Sequence, residues 1–132
     1  MKHLLIILIS ILLLSSPGIG NSHKGETLYL LKNPSGDGYI WKGFGDKETQ
    51  PKYQGNVKDE IPNGIGILIF PNGDKYVGGW KDGKRNGQGI ETYLSGQKYE
   101  GQWRDGEIDG EGKFFYSGGS KYIKIKLLEI KI

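Results

Sequence analysis

Apolar and polar residues alternate in short runs along most of the chain after residue 22, and turn-forming residues separate the runs. In Tyr76–Lys81 the even positions carry Tyr, Gly and Trp, and the odd positions carry Val, Gly and Lys. This alternation is typical of a strand with one packed face. Asp82–Asn86 predicts a turn, Gly87–Leu94 a second strand, and Ser95–Gln97 the turn into the next unit. The pattern therefore predicts β-hairpins joined by short turns.

The hairpin pattern recurs along the chain with a period of 23 residues, marked by Tyr53, Tyr76, Tyr99 and Tyr122. Further columns align at the same period: Gly55, Gly78 and Gly101; Val57, Trp80 and Trp103; Gly64, Gly87 and Gly110; Gly66, Gly89 and Gly112; Phe70, Tyr93 and Tyr116; Gly73, Gly96 and Gly119. Twelve of the 16 glycines in residues 52–120 fall in these columns, so the glycines mark a repeat and not a flexible linker.

Glycine inside a strand normally weakens it, so the glycine columns require a physical reason. Gly78 and Gly101 share a strand face with Tyr and Trp residues. Because glycine has no Cβ, it leaves room for an aromatic ring from the neighbouring strand. We therefore expect a row of rings seated against glycines. On this interpretation Gly87→Ala and Gly89→Ala both destabilise the fold through steric clash.

The repeat resembles that of the MORN family, whose unit reads roughly Tyr-x-Gly-x-Trp/Phe-x-x-Gly-x-x-x-Gly-x-Gly. The segments 76–89 and 99–112 match it most closely, and the resemblance covers about 70 residues. It implies an all-β fold, an elongated single-layer antiparallel meander of stacked hairpins. Repeats of this family serve mainly as interaction platforms. Phospholipid association is also proposed for members such as junctophilins and phosphatidylinositol phosphate kinases.

Two units depart from that pattern. In the unit that starts at Tyr53, Val57 replaces the aromatic residue and Glu60 replaces the turn glycine. In the unit that starts at Tyr122, lysines replace both the glycine and the aromatic residue. We therefore expect three repeats in residues 52–120 and a partial fourth repeat or edge strand in residues 121–132.

Residues 1–22 are predicted to be a signal peptide. Lys2 gives a basic start, and Leu4–Leu14 is an apolar run interrupted by a single Ser. A membrane-spanning helix needs about 20 apolar residues, so this run favours an export signal over an uncleaved anchor. Pro17 and the small residues after it predict cleavage after Gly20 or Ser22. The protein is then secreted or periplasmic, as an exported, bacterial-type member of the family that it resembles.

The segments flanking the repeats are predicted to protect the sheet. In residues 23–51, two strands at Thr27–Leu31 and Tyr39–Phe44 are expected to form a divergent capping hairpin, followed by a polar loop. Residues 121–132 alternate Ile or Leu with Lys, which favours an edge strand, although a short amphipathic helix also fits. The pattern leaves open whether the chain is truncated within a fourth repeat.

Composition leaves little material for catalysis or metal binding. The chain has no Cys, which excludes disulfides, thiol nucleophiles and Cys-based zinc sites. His23 is the only histidine beyond the signal segment, so a catalytic or metal-binding His cluster is not expected. One carboxylate column recurs in the repeats, Asp59, Asp82 and Asp105, and it lies at hairpin turns, where a role as solvated turn residues is expected.

Two glycine-rich segments match known ligand-binding loops only in part, because each lacks a residue that the loop requires. The Gly-x-Gly steps at Gly64, Gly87 and Gly110 lack a third glycine and a following helix, so they are not nucleotide loops. The segment 105–110 begins like a calcium loop, but Tyr116 stands where a bidentate Glu is required. No catalytic, cofactor or metal-binding residue is therefore predicted.

Charge is unevenly distributed along the chain. Residues 52–120 carry nine Lys or Arg and ten Asp or Glu, whereas residues 121–132 carry four Lys and one Glu. A repeat region without net basic charge argues against nucleic acid as a partner. Lysines in the last segment are candidates for contact with anionic lipid: Lys121, Lys124 and Lys126.

These observations predict an exported, non-enzymatic repeat protein that acts as a scaffold for an unidentified protein partner. The candidate surface is the strand face opposite the aromatic columns, with Gln54, Asn56, Val77, Glu100 and Gln102 exposed on it. Ile65, Ile67, Ile69 and Ile90 share that face and offer an apolar patch for a partner or for self-association. The alternatives are peripheral membrane binding through the three lysines above and binding of polysaccharide by the aromatic rows.

Overall fold

In the computed structural model, residues 22–118 and 122–126 are described, and within them nine strands form one antiparallel sheet. No helix occurs in this part of the chain. The strands are β1 Ser22–Lys32, β2 Tyr39–Lys42, β3 Lys52–Lys58, β4 Ile61–Ile69, β5 Lys75–Lys81, β6 Lys84–Thr92, β7 Lys98–Arg104, β8 Glu107–Phe115 and β9 Tyr122–Lys126. The predicted all-β, single-layer antiparallel sheet of hairpins is confirmed.

The sheet order is β2-β1-β3-β4-β5-β6-β7-β8-β9, so the sheet is a meander only from β3 onward. β1 pairs with β3 along most of its length and with β2 only over Tyr29–Lys32. The loop from β2 to β3 crosses β1 closely: a Cβ on Gly45 would lie 2.5 Å from the Tyr29 ring. Leu30 N–H donates to the Pro51 carbonyl at 3.0 Å where this loop ends. The pattern of alternation did not predict that β1 lies inside β2.

Each repeat hairpin closes with a two-residue turn. Asp82 and Gly83 have φ values of 50° and 80°, and Asp105 and Gly106 have 50° and 87°. Positive φ at both central residues is the geometry of a type I′ turn, which matches the twist of paired strands. The predicted turn over residues 82–86 is therefore too long, because β6 already begins at Lys84.

A bulge in each hairpin explains one glycine column. Gly78 pairs with Gly89, but Trp80, two residues on, pairs with Arg85, so β6 carries two extra residues between these pairs. Gly87 lies in this bulge with φ 83°, and Gly64 and Gly110 hold the same place with φ 115° and 75°. The predicted steric clash at Gly87 is wrong, since nothing lies within 4 Å of a Cβ placed there. Backbone conformation alone favours glycine at Gly87, whereas at Gly64 and Gly110 a Cβ would also meet the Asn56 and Gln102 side chains.

Close packing against rings explains another glycine column. A Cβ on Gly66, Gly89 or Gly112 would overlap the ring of Tyr53, Tyr76 or Tyr99, respectively. Their cross-strand partners Gly55, Gly78 and Gly101 are equally confined, because a Cβ there would lie 2.5 Å from the Cα of the paired glycine. The expectation that rings are seated against glycines is confirmed at these positions.

Gly89→Ala is expected to destabilise the protein more than Gly87→Ala. The Gly89 methyl group would collide with the buried Tyr76 ring, at a cost of about 2–3 kcal/mol. The Gly87 methyl group meets open space, and only the left-handed backbone opposes it, at about 1 kcal/mol. Urea denaturation of both variants measures the difference. Equal losses of stability would contradict the separate roles of the two columns.

Glu60→Gly is expected to stabilise the protein by about 0.5–1 kcal/mol, because Glu60 has φ 63° where the other repeats have glycine. The matched control is Gly106→Glu, which places Glu at the same turn position in the third repeat. Nothing lies within 4 Å of a Cβ on Gly106, so that change tests backbone conformation alone and should cost about 1 kcal/mol. Thermal denaturation measures both effects. Melting temperatures that shift in the same direction in both variants would refute this explanation.

Candidate interaction faces of the sheet

One face of the sheet, here called the aromatic face, is closed by its own side chains. The buried hydrophobic residues all belong to one cluster: Leu28, Tyr53, Val57, Leu68, Tyr76, Trp80, Tyr99 and Trp103. The three tyrosines are fully buried, and the two tryptophans are 6% and 5% exposed. A single-layer sheet therefore obtains a core because large rings cover the glycine positions beside them.

The polar atoms of these rings are satisfied in a repeating way. The hydroxyl groups of Tyr53, Tyr76 and Tyr99 donate to the carbonyl three residues further on, at 2.6, 2.9 and 3.1 Å. The indole N–H groups of Trp80 and Trp103 donate to the carbonyl fourteen residues earlier, at 3.3 and 3.4 Å. Burial raises the pKa of all three tyrosines above the usual value of 10.

The aromatic face is unsuited to stacking on sugars. Neighbouring rings meet edge to face, with centroids 5.2 Å apart for Tyr53 and Trp80 and 5.3 Å apart for Tyr76 and Trp80. Rings that pack on one another and on backbone leave no flat surface free for a ligand. The buried Tyr and Trp columns are therefore not available as a polysaccharide site.

A buried ion pair interrupts the aromatic face at the second repeat. Arg85 Nη1 lies 2.9 Å from Glu91 Oε1, and Glu91 is 8% exposed. The guanidinium carbon lies 5.0 Å from the ring centroids of both Tyr76 and Trp103. The Tyr93 hydroxyl donates to Glu91 Oε2 at 2.7 Å, and burial, together with this hydrogen bond, raises the pKa of Tyr93. The Glu91 carboxylate is thus buried, and the Arg85 side chain, which is 16% exposed, lies over it between the protein and solvent.

Alternation along the strands did not predict this pair, although the aligned repeats contain a signal of it. At the position of Arg85 the first and third repeats have Pro62 and Ile108, and at the position of Glu91 they have Leu68 and Phe114. Only the second repeat replaces both apolar residues with charges, and it replaces them together. The pair therefore occupies two positions of the repeat at which the second repeat differs from the first and the third.

The opposite face, here called the open face, carries an apolar strip formed by Ile65, Ile67, Val77 and Ile90. The sheet register places Ile67 beside Val77, and Val77 beside Ile90, on β4, β5 and β6. These four side chains are half-buried, and Ile69 next to them is 48% exposed. The residues predicted to share an apolar patch are thus brought together on three adjacent strands.

The polar candidates on the open face divide into two groups. Gln54 pairs with Ile67 at one end of the strip, and Glu100 pairs with Ile90 at the other. Asn56 and Gln102 instead lie against the bulges, and Gln102 accepts a hydrogen bond from Glu111 N–H at 3.2 Å. Gln102 therefore supports its hairpin, Asn56 lies against the bulge with its side-chain oxygen buried, and Gln54 and Glu100 border the strip.

A row of lysines, not singled out from the sequence, runs beside the apolar strip on the open face. Lys52, Lys75 and Lys98 each precede a repeat tyrosine by one residue, and this 23-residue spacing was the available signal. The register aligns them across the sheet, with Ile69 between the first two and Thr92 between the last two. Lys98 also approaches Glu100 at 3.2 Å. We call these three residues the lysine row.

A comparison with known protein families shows to which family the chain belongs. The family model of the MORN repeat matches three consecutive segments, residues 53–75, 76–98 and 99–121, which together cover more than half of the chain. The chain belongs to the MORN repeat family. MORN repeats are commonly protein- or membrane-interaction modules, and the family is generally non-catalytic. A search of curated proteins found no match to this MORN chain.

The C-terminal lysines of this MORN protein fall partly beyond what the structure describes. Lys121 lies outside the described residues. The backbone of Lys124 pairs with Lys113 and that of Lys126 with Glu111, because β9 adds to the sheet as the next MORN strand. The segment 122–126 is thus a strand. Of the two structures expected from its sequence, the strand is confirmed and the helix is wrong for these residues.

Within residues 22–118 and 122–126, the MORN sheet contains no group of three or more His, Cys, Asp or Glu side chains arranged to hold a metal ion. The same residues include no helix that is long and apolar enough to cross a membrane. The described residues hold three further arrangements of interest: the Arg85–Glu91 ion pair, the apolar strip and the lysine row.

Proposed function

We propose that this MORN sheet is a non-catalytic scaffold that binds another protein through its open face. The apolar strip carries the proposal. Ile67, Val77 and Ile90 lie side by side on three strands, with Ile65 and Ile69 beside them. Half-buried aliphatic side chains in a contiguous group are typical of a protein-binding surface. The aromatic face, by contrast, is already covered by its own rings.

In-cell photo-crosslinking tests this function. A photoreactive amino acid in place of Val77 is expected to trap a defined partner. The same amino acid in place of Lys81, an exposed residue at the hairpin end of the same strand, serves as the control. Val77→Asp should abolish complex formation without unfolding the sheet, as checked by circular dichroism. Identical products from positions 77 and 81, or none from position 77, would refute the proposal.

We further propose that the protein is exported and cleaved after Gly20 or Ser22, because the apolar run of residues 4–14 has the length of a signal peptide. Strand β1 begins at Ser22, so cleavage after Gly20 keeps the whole strand in the mature protein. Mass spectrometry of the mature N-terminus tests this proposal. A protein recovered only with residue 1 intact would contradict it.

Peripheral membrane association through Lys121, Lys124 and Lys126 is the competing proposal, and sedimentation with vesicles separates it from protein binding. If the lysines carry the function, the protein should sediment with vesicles containing anionic lipid and not with neutral ones. Deletion of residues 121–132 should then abolish sedimentation. Sedimentation that survives the deletion would count against this competing proposal.

A further inference from the structure

We propose that the partner presents an acidic amphipathic α-helix, laid across strands β3–β7 on the open face. This inference rests on the proposed scaffold function and names the kind of partner. The open face carries two parallel rows of different chemistry, one of lysines and one of aliphatic side chains. The lysine row and the apolar strip both cross the strands, so a ligand that covers them must carry two matching rows on one side.

The register fixes how the two rows lie. In β5, Lys75 and Val77 are two residues apart and therefore point to the same face. The same offset separates Ile69 from Ile67 on β4, and Thr92 from Ile90 on β6. Because a strand rises about 3.4 Å per residue, the rows run about 7 Å apart. The apolar strip is thus bordered along one side by positive charge.

The spacing within the lysine row fits a helix. Its three lysines lie on β3, β5 and β7, and every second strand corresponds to about 9.6 Å. Residues seven apart on an α-helix lie on one side, about 10.5 Å apart. Acidic residues at that interval would meet successive lysines. From β3 to β7 the distance is about 19 Å, which about 13 helical residues span.

An extended segment fits this surface less well than a helix. Successive side chains of an extended chain point to opposite sides, so it offers a single row to the sheet. A helix presents two adjacent rows, one apolar and one acidic, as the flanks of coiled-coil helices do. Complementary charge beside an apolar contact therefore selects an amphipathic helix with acidic residues along one border.

Lys75 is the lysine on which the interaction should depend most. It is exposed, stands at the centre of the row and lies on the same strand as Val77. Lys98 already approaches Glu100 at 3.2 Å and lies 4.2 Å from the centroid of the Phe115 ring, so part of its charge is engaged. Removal of the Lys75 charge should therefore weaken binding more than removal of the Lys98 charge.

Fluorescence anisotropy with a synthetic helical peptide tests the inference. The probe is a labelled peptide of about 15 residues, with Leu along one row and Glu along the adjacent row. Its matched control has the same composition in an order that gives no amphipathic stripe. The purified protein is expected to bind the first peptide at least tenfold more tightly than the second. Added salt should weaken binding, because exposed charges carry part of it.

Two charge-reversed variants make the test specific. Lys75→Glu is expected to weaken peptide binding at least tenfold, whereas Lys81→Glu, with the same charge change at the hairpin end, should leave it within twofold. If both variants lost the same affinity for the peptide, the effect would come from the net charge of the protein and not from the lysine row. That result would overturn the inference. Equal binding of the two peptides, or no binding of the amphipathic one, would overturn it as well.

Failure of the helix proposal can be told apart from failure of the scaffold function. If crosslinking at position 77 traps a partner while the amphipathic peptide does not bind, the scaffold function stands and the helix proposal fails. If the protein dimerises and Val77→Asp restores the monomer, a second copy covers the open face and the helix proposal also fails. Sedimentation with anionic vesicles that Lys75→Glu abolishes would assign the lysine row to a membrane instead.

Discussion

Trp80→Ala is expected to lower the free energy of unfolding by about 3–5 kcal/mol, the range typical of a buried aromatic residue replaced by Ala. The Trp80 ring lies at the centre of the aromatic face. Its centroid is 5.9, 5.2 and 5.3 Å from those of Trp41, Tyr53 and Tyr76, respectively. Its indole N–H also donates to the Gly66 carbonyl, which would lose this donor. Truncation thus removes packing between the first two repeats.

Urea denaturation followed by circular dichroism measures this loss without relying on tryptophan fluorescence. Trp80→Phe is the matched control, because it keeps a ring and removes the N–H group, and it should cost about 1–2 kcal/mol. Trp103→Ala tests the equivalent site one repeat later. A loss below about 1 kcal/mol for Trp80→Ala would contradict the view that the rings form the core.

Arg85→Ala is expected to destabilise the protein by about 3–5 kcal/mol, because it leaves the Glu91 carboxylate buried without its cation. The Tyr93 hydroxyl remains as a donor but carries no charge to balance Glu91. The change also removes the contacts of the guanidinium with the Tyr76 and Trp103 rings, whose centroids each lie 5.0 Å from the guanidinium carbon. Equilibrium unfolding at neutral pH measures the effect.

The chain supplies its own control for this prediction. Arg85→Ile combined with Glu91→Phe installs the residue pair that the third repeat has at Ile108 and Phe114. Since a buried ion pair is often replaced by apolar residues at little cost, the double variant should lie within about 1 kcal/mol of the original protein or be more stable. A double variant as unstable as Arg85→Ala would show that the ion pair itself is required.

Much of the fold follows from the sequence because the determinants repeat. Residues equivalent to Tyr76, Trp80 and Gly89 recur every 23 positions. The alternation along each strand indicates which of them lie on the same face of the sheet. The hairpin ends were predicted less well. The predicted turn of Asp82–Asn86 is too long, since Lys84, Arg85 and Asn86 already belong to β6.

The ion pair and the lysine row depend on information that alternation does not contain. Along a regular strand Arg85 and Glu91 would stand about 20 Å apart, beyond the reach of their side chains. The bulge at Gly87 takes up two residues, so Arg85 and Glu91 pair with Trp80 and Tyr76, which are four residues apart on β5. The two long side chains close the remaining gap, with Nη1 2.9 Å from Oε1. The lysine row likewise appears only when pairing places Lys52 and Lys75 in one line across β4. The repeat columns single out the residues of both features, but their contacts require the register, which alternation leaves undetermined.

The order of the strands also determines how this molecule comes apart. β3 bonds to β1 as well as to β4, but from β4 to β9 each strand bonds only to strands adjacent to it in the chain. This part of the sheet has no distant contacts to close before folding gains stability, so assembly can start at any one hairpin and spread to its neighbours. Disassembly runs in reverse and begins at the free ends. The amide protons of β5 and β6, enclosed by hairpins on both sides, should therefore be the last to exchange with solvent.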